Sequence, residues 1–188
     1  PEVETTVRGL AKVLDGRRIR RVEARRADLR RAFPKDLGQR LTGATVTGLG
    51  RRAKYGLIHT NRNDTMIFHL GMSGSWRINR TEIEKHDHLL LETEEGTKLA
   101  LNDPRRFGSV DLVATDELDR WPAFAVLGPE PLELDARDLK RRLAGRSAAI
   151  KLLLLDQSIV AGLGNIYVCE ALYRAGIRPR RAGGSVSL

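Results

Sequence analysis

The segment Gly162-Leu163-Gly164-Asn165 has residue types and spacing that suit contact with a phosphate. Its two glycines permit tight turns and the close approach of another molecule. Asn165 stands where the apolar spacing of residues 166–175 predicts that a helix begins, and the N–H groups at such a start attract anions. In a chain of net charge +9 this pattern predicts a clamp on the DNA backbone. The alternative is a plain connector between helices, with Asn165 as an ordinary N-cap.

Lys54 and a histidine pair are the other side chains with chemistry to offer. Lys54 follows Arg51-Arg52 and precedes a strand pattern, so a turn could present its ammonium to a phosphate or to a proton transfer. By itself, such a residue is more often a solvated surface lysine. His86 and His88 flank Asp87 and suggest a metal site, but no third ligand is nearby in sequence, so we expect no metal in this chain.

The apolar spacing predicts the elements that position these residues. Residues 2–14 repeat apolar side chains at three- and four-residue intervals, which predicts a helix that ends at Asp15-Gly16. Residues 40–113 read as short antiparallel strands joined by turns, which favours a sandwich or a flattened barrel. The clearest strand patterns are 57–60, 66–70, 89–92, 98–101 and 107–113.

A stretch with two prolines, residues 127–131, marks a boundary, because neither proline fits inside a regular element. Beyond it the apolar spacing is helical at 138–143, 148–155 and 166–175, with Gly176 placed to end the last helix. The predicted fold is α+β: an antiparallel β-sandwich domain with a leading helix over residues 1–126, then a helical DNA-binding domain over residues 127–188.

Composition narrows the class of partner. A net charge of +9 favours a polyanion, with nucleic acid first and an anionic membrane surface second, although a solvated basic surface would give the same balance. The single cysteine, Cys169, excludes a disulfide framework and a four-cysteine metal site within these residues. No apolar run is long enough to span a bilayer and no signal-peptide pattern opens the chain. We therefore expect a cytoplasmic protein.

The glycine-rich segment has a longer context, Val160-Ala161-Gly162-Leu163-Gly164-Asn165-Ile166-Tyr167, which resembles the helix–two-turns–helix signature of the formamidopyrimidine-DNA glycosylase family. Further segments resemble the family in the same order along nearly the whole chain. They are Pro1–Thr5, Arg51–Tyr55, His69–Gly74, Lys85–His88, Asp103–Gly108 and Leu127–Glu130. The resemblance implies a DNA repair enzyme that excises oxidised purines, such as 8-oxoguanine and formamidopyrimidines, and then nicks the strand at the abasic site.

The start of the chain departs from the family pattern. The family begins with Pro-Glu-Leu-Pro-Glu-Val-Glu, and the amine of its first proline attacks C1′ of the sugar to form an iminium intermediate. Pro1-Glu2-Val3-Glu4 matches the later Pro-Glu by register, so we expect the nucleophile and its glutamate upstream of Pro1 and this chain to be inactive or very weak as it stands. Glu2 is then expected near the lesion pocket, or it is simply a carboxylate that the helix dipole stabilises.

The resemblance also assigns roles to individual residues. Lys54 joins Glu2 in the catalytic machinery. Met72, Arg105 and Phe107 fill the void left by the extracted base, and we call them the void-filling set. Phosphates or bases of the DNA are contacted by His86, Arg105, Arg146, Lys151 and Asn165, and Glu170 lines the lesion pocket. Without the resemblance, core packing of Met72 and Phe107 and an ion pair between Arg105 and Asp103 would be favoured, and Glu170 would be an exposed helical carboxylate.

The implied partner is double-stranded DNA with oxidised bases or abasic sites, bound by a monomer associated with the bacterial nucleoid. The family's four-cysteine zinc finger, with one Zn, is expected beyond residue 188, so we expect no cofactor in this chain. Two alternatives remain. One is a non-catalytic DNA-binding module, which would have no use for the void-filling set. The other is an enzyme of the endonuclease VIII type, which favours oxidised pyrimidines.

Overall fold

The computed structural model describes residues 1–187. The chain divides between Asp119 and Arg120 into two compact units, one rich in β-strands and one helical. The β-rich unit begins with helix α1 (Glu2–Leu14) and contains the short helix α2 (Leu37–Leu41). Its strands are β1 (Ile19–Ala24), β2 (Val46–Arg52), β3 (Tyr55–Thr60), β4 (Asp64–His69), β5 (Ser75–Ile78), β6 (Asp87–Thr93), β7 (Lys98–Asn102) and β8 (Ser109–Ala114).

The strands form two antiparallel sheets of four strands each, in the orders β1-β6-β7-β5 and β2-β3-β4-β8. A single apolar cluster draws residues from α1, from α2 and from both sheets, with Leu10, Phe68 and Leu89 among its fully buried members. Burying one such side chain contributes roughly 2 kcal/mol. The predicted α+β class, with a β-sandwich behind a leading helix, is confirmed.

Helix α1 forms because its apolar residues share one face. Val7, Leu10 and Leu14 are buried, and the spacing between them is three and four residues. The helix ends where Asp15 becomes extended and Gly16 adopts a φ of +71°, a conformation that glycine accepts without steric cost. The sequence prediction for residues 2–14 therefore holds at both ends.

Hairpin β3–β4 forms as the turn chemistry predicts, with Asn63 at a φ of +58° in the connection. The strand predicted from Phe107 instead begins at Ser109. Arg106 has a φ of +57°, which interrupts the extended backbone and leaves Phe107 in a loop. Two elements inside the predicted β region had no clear pattern of their own, the half-buried β2 and the four-residue β5.

The helical unit contains α3 (Pro122–Ala125), α4 (Ala136–Leu143), α5 (Ile150–Leu155) and α6 (Asn165–Arg174). The last three confirm the predicted helices, with ends shifted by one or two residues. Helix α4 begins early because the Asp135 carboxylate accepts a hydrogen bond from Asp138 N at 2.7 Å. The apolar faces of α4, α5 and α6 meet in a second core. The contacts divide the chain between Asp119 and Arg120, and the predicted division after residue 126 stays a prediction.

No helix within residues 1–187 combines the length and the apolar character needed to cross a membrane.

Candidate nucleic-acid interface

The void-filling set stands on two loops of the β-rich unit, residues 70–74 and 103–108, which we call the wedge loops. Met72 is 72% exposed and Phe107 is 47% exposed, so the alternative that both pack in the core is wrong. The Arg105 guanidinium lies 4.7 Å from the centre of the Phe107 ring, a cation–π distance. The structure therefore brings an apolar wedge, an aromatic ring and a cation to the surface together.

Arg105 makes no ion pair with Asp103 among residues 1–187, which removes the second alternative for this set. The Asp103 carboxylate is instead fully buried and accepts hydrogen bonds from Ser73 Oγ and Gly108 N. Arg105 is exposed and stacks on Phe107. Its guanidinium thus keeps donors for a base edge or a phosphate.

The two wedge loops touch through their backbones. A Cβ on Gly71, whose φ is +60°, would lie 2.5 Å from the carbonyl carbon of Phe107. Only a residue without a side chain allows that approach. The contact places the Met72 loop directly against the segment that carries Phe107.

Lys54 lies in the tight turn between β2 and β3, next to Ala53 with its φ of +52°. Its side chain is half-buried, and burial lowers the pKa of its ammonium. The adjoining Tyr55 pairs with His69, whose own pKa burial lowers first and the nearby charge of Lys54 lowers further. Lys54 therefore lies at the end of β4 from which the Met72 loop departs.

His69 is a residue that the sequence placed within a motif but gave no role. Its ring packs edge-on against Tyr55, with the centroids 5.0 Å apart. Its Nδ1 accepts a hydrogen bond from Gly71 N at 3.0 Å, which requires that nitrogen to be unprotonated. His69 thereby fixes the first turn of the Met72 loop. No sequence signal marks this bond, because an imidazole can donate or accept at either nitrogen.

Glu2 is exposed. The Pro1 carbonyl accepts a hydrogen bond from Thr5 N, so Pro1 serves as the N-cap of α1. Nearby, hydrogen bonds from Arg51 and Arg8 lower the pKa of Glu4. Glu2 is thus free to face solvent or DNA, and its predicted place in a lesion pocket stays a prediction.

His86 and His88 differ sharply in environment. His88 is buried, its Nε2 lies 3.0 Å from the Asp103 carbonyl oxygen, and burial lowers its pKa. His86 precedes β6, is only half-buried and packs edge-on against His88. Of the two, His86 has a side chain that DNA can reach. Nowhere in residues 1–187 do three His, Cys, Asp or Glu side chains gather as a metal would require.

In the helical unit, Gln157 organises the glycine-rich turn. Its Oε1 accepts from Gly162 N at 2.9 Å, and its Nε2 donates to the carbonyls of Leu155 and Leu163 at 2.9 and 3.1 Å. Gly162 has a φ of +93°. A side-chain amide thus replaces the backbone partners that this turn lacks.

Asn165 is the first residue of α6, and the N-cap is Gly164, which makes no side-chain capping bond. The interpretation of Asn165 as an ordinary N-cap is therefore wrong. Its side chain is exposed, and among residues 1–187 the one partner of its Oδ1 is the distant Cys169 Sγ, at 3.8 Å. The first N–H groups of a helix have no partner within it. The turn therefore offers both backbone donors and an amide to an anion.

Three further site residues of this unit are accessible to different degrees. Arg146 is exposed, with Nε donating to the Arg142 carbonyl. Lys151 lies half-buried in the first turn of α5. Glu170 is exposed and lies 4.0 Å from Arg174 Nε, the geometry of a solvated helical pair. Arg146 and Lys151 can donate to phosphates, and the lesion-pocket role of Glu170 stays a prediction.

The segment around Gly128 braces the glycine-rich turn. Gly128 N donates to the Gln157 carbonyl at 2.8 Å, and Ala161 N donates to the Pro129 carbonyl at 2.9 Å. A Cβ on Gly128 would lie 2.6 Å from the Ser158 carbonyl oxygen. The resemblance marked the two segments separately, and the structure places them in contact.

A four-cysteine zinc site does not fit residues 1–188, since Cys169 is their one cysteine.

Two antiparallel sheets with exposed wedge loops, and a helical unit whose glycine-rich turn leaves N–H groups open at the start of α6, are the features of a DNA-binding protein of the base-excision class. Residues 1–110 match the family model of the formamidopyrimidine-DNA glycosylase N-terminal domain, and residues 127–188 match that of the formamidopyrimidine-DNA glycosylase H2TH domain. The chain belongs to the formamidopyrimidine-DNA glycosylase family.

Two similar relatives extend the match. The formamidopyrimidine-DNA glycosylase of Novosphingobium aromaticivorans is 72% identical over 189 residues, which cover all of this chain and 70% of the relative. That of Erythrobacter litoralis is 66% identical and is covered to 69%.

Solved structures agree with the sequence relatives. A complex of Lactococcus lactis Fpg (MutM) with DNA containing N7-benzyl-Fapy-dG has a TM-score of 0.91 and 35% identity, covering all of this chain and 71% of that one. Complexes of the same protein with DNA containing an abasic site and with DNA containing an oxidized pyrimidine also have TM-scores of 0.91.

Proposed function

We propose that this protein excises oxidised purines, such as 8-oxoguanine and formamidopyrimidines, from duplex DNA and nicks the strand at the abasic site. The observation that carries the proposal is the exposed void-filling set on two adjoining loops. An enzyme that extracts a base leaves a gap in the stack, and Met72 and Phe107 are shaped to occupy it while Arg105 pairs with the orphaned base. A protein that only clamped the backbone would gain nothing from exposing an aromatic ring there.

In the chemistry that the family resemblance implies, a proline amine attacks C1′, the bond to the base breaks, and the enzyme is left joined to the sugar as an iminium. In this chain Lys54 is the candidate donor to the phosphate beside the lesion. A lowered pKa suits it equally to proton transfer, since such a group gives up its proton more readily than an ordinary lysine. Glu2 of the β-rich unit is proposed to contact the lesion, and the same role is proposed for Glu170 of the helical unit.

DNA binding itself is proposed to use both units. Arg146, Lys151 and Asn165 of the helical unit would bind phosphates, and His86 and Arg105 of the β-rich unit would add contacts. The protein is proposed to act as a monomer on nucleoid DNA. Sedimentation of the DNA-bound protein would check that stoichiometry.

The decisive experiment uses the gene product that carries residues 1–188. It is incubated with duplexes containing 8-oxoguanine, a formamidopyrimidine, an oxidised pyrimidine or undamaged guanine, with and without borohydride. Release of the damaged purine, strand nicking and a borohydride-trapped protein–DNA adduct are the expected results. Equal binding to all four duplexes without base release would instead support a non-catalytic DNA-binding module.

The duplex with an oxidised pyrimidine tests a second candidate function. This candidate is an enzyme that, like endonuclease VIII, prefers oxidised pyrimidines. One observation keeps this candidate open: the Lactococcus lactis protein has been crystallised with DNA containing an oxidized pyrimidine. Faster release of the pyrimidine than of 8-oxoguanine would favour that preference over the one proposed.

A further inference from the structure

The wedge loops are crossovers between the two sheets, and strand pairing makes them neighbours. Residues 70–74 lead from β4 to β5, and residues 103–108 lead from β7 to β8. The last residue of β4 pairs with the first of β8 in one sheet. The first residue of β5 pairs with the last of β7 in the other. Both loops therefore connect the same two sheets, and they run beside each other because the strands at each end are paired.

One carboxylate joins the loops. Asp103 Oδ1 accepts a hydrogen bond from Ser73 Oγ at 2.6 Å, and Oδ2 accepts one from Gly108 N at 2.9 Å. Ser73 Oγ in turn accepts a hydrogen bond from Arg105 N at 3.1 Å. The segment that carries Phe107 is thus tied at both ends to a group that also holds the Met72 loop.

The chemistry of Asp103 is unusual for a simple loop anchor. It is fully buried, and no Lys, Arg or His within residues 1–187 forms an ion pair with it. A buried carboxylate is costly unless hydrogen bonds satisfy it. The hydrogen bonds of the carboxylate come from the wedge loops themselves. The main-chain carbonyl oxygen of Asp103 lies 3.0 Å from His88 Nε2. The carboxylate therefore stabilises these loops in place of a cation.

We propose that Ser73 and Asp103 are positioning residues for base extraction, which hold the two wedge loops as one rigid wedge. The void-filling set then enters the DNA as a unit, and none of its members must be ordered separately on binding. Neither residue contacts DNA in this proposal; both act through Met72, Arg105 and Phe107. The inference rests on the proposed function, because a rigid wedge is useful only to a protein that fills a void.

The test compares binding to a duplex with a stable abasic analogue and to an intact duplex of the same sequence. The measured quantity is the affinity for the abasic duplex divided by the affinity for the intact duplex. Ser73→Ala is expected to lower that ratio about tenfold, the effect of losing a hydrogen bond to a charged group. Ser73→Thr keeps a hydroxyl and is expected to keep the ratio within about twofold of wild type.

The matched control is Ser75→Ala. Ser75 is exposed two residues further on, and its hydroxyl makes no hydrogen bond within the described residues. It should leave the ratio unchanged. All variants are compared at a temperature at which thermal denaturation shows each to be folded, so that lost folding is not mistaken for lost positioning.

A double-mutant cycle separates positioning from general support. In a Phe107→Ala background, Ser73→Ala should lower the ratio by less than about twofold, because the group that it positions is already gone. Additive effects, or an equal loss of affinity for both duplexes, would overturn the inference alone. A wild-type protein with no preference for the abasic duplex would overturn the proposed function and the inference with it.

Discussion

In the β-rich unit, the groups offered to DNA are exposed side chains on loops that a buried carboxylate fixes from within. In the helical unit the glycine-rich turn offers backbone N–H groups and the Asn165 amide, and the Gln157 side chain fixes that turn from within. The cations of Arg146 and Lys151 lie elsewhere in the same unit. In both units a side chain accepts a hydrogen bond from a backbone N–H of an irregular segment. It is the Asp103 carboxylate in the β-rich unit and the Gln157 amide in the helical unit. The two units differ in the groups that they expose: the void-filling set in the β-rich unit and the glycine-rich turn in the helical unit. This difference suggests that recognition of the void and grip on the phosphates are separable.

The largest expected effect tests how closely the wedge loops pack. Gly71→Ala would put a Cβ 2.5 Å from the Phe107 carbonyl carbon, at a φ of +60°. We expect it to lower the free energy of unfolding by about 3 kcal/mol, the range of an overpacked core. Chemical denaturation measures this.

Gly16→Ala is the matched control for that substitution. Gly16 has a φ of +71°, and beyond its two chain neighbours no atom of the described residues lies within 4 Å of the point that an added Cβ would occupy. Only the backbone cost of about 1 kcal/mol therefore applies. Equal losses for the two substitutions would show that the loops are not packed backbone to backbone.

Phe107→Ala tests the wedge itself. Stacking against a base is worth about 1–3 kcal/mol, so the affinity for an abasic duplex should fall about tenfold or more. Affinity for an intact duplex should change by less than about twofold, since no void is there to fill. Fluorescence titration measures both. Tyr173→Ala, which removes an aromatic ring that is 85% exposed in the other unit, should change neither affinity.

Asn165→Ala tests the glycine-rich turn of the helical unit. Loss of one amide contact to a phosphate should weaken binding to abasic and intact duplexes alike, by about fivefold. Gln39→Ala removes an exposed amide from the β-rich unit and serves as the control. A loss confined to the abasic duplex would mean that the helical unit also reads the void, and the separation of roles would fail.

The smallest effect concerns the titration of Lys54, whose pKa burial lowers. The lysine loses its charge at a lower pH than an ordinary lysine, so DNA affinity should begin to fall at a correspondingly lower alkaline pH. Lys54→Arg keeps its charge and should remove this fall. The sign for stability is opposite: the unfolded chain holds the proton more tightly, so the stability contributed at this site rises as the pH passes through the lowered pKa. If DNA affinity depended on pH in the same way for Lys54→Arg and for the wild type, this account would be contradicted.

Methionine methyl resonances offer a direct view of the comparison, because the chain has only two methionines. Met66 is fully buried in β4 and Met72 is largely exposed. On titration with an abasic duplex, the Met72 methyl signal should shift while that of Met66 stays in place.

Elements with strong apolar spacing could be predicted from the sequence, and contacts between distant segments could not. Helix α1 and hairpin β3–β4 followed from local pattern and turn residues. Strand β2 was not predicted as a separate strand, because its glycines interrupt the alternation of apolar and polar residues. The void-filling set was named from a resemblance, yet its exposure and the Arg105–Phe107 stacking needed coordinates. The link between Ser73 and Asp103 spans thirty positions and has no periodic signature.

The backbone contact between Gly71 and Phe107 bears on how such a protein can be redesigned. Because Gly71 brings no side chain to this contact, the length of each wedge loop is tightly constrained. One inserted residue would separate the two loops and would leave the Asp103 carboxylate without its hydrogen-bond donors. Met72, Arg105 and Phe107 are exposed, so their side chains can be exchanged more freely. Libraries that vary those three positions on an unaltered scaffold are therefore a practical route to proteins that recognise gaps of other shapes.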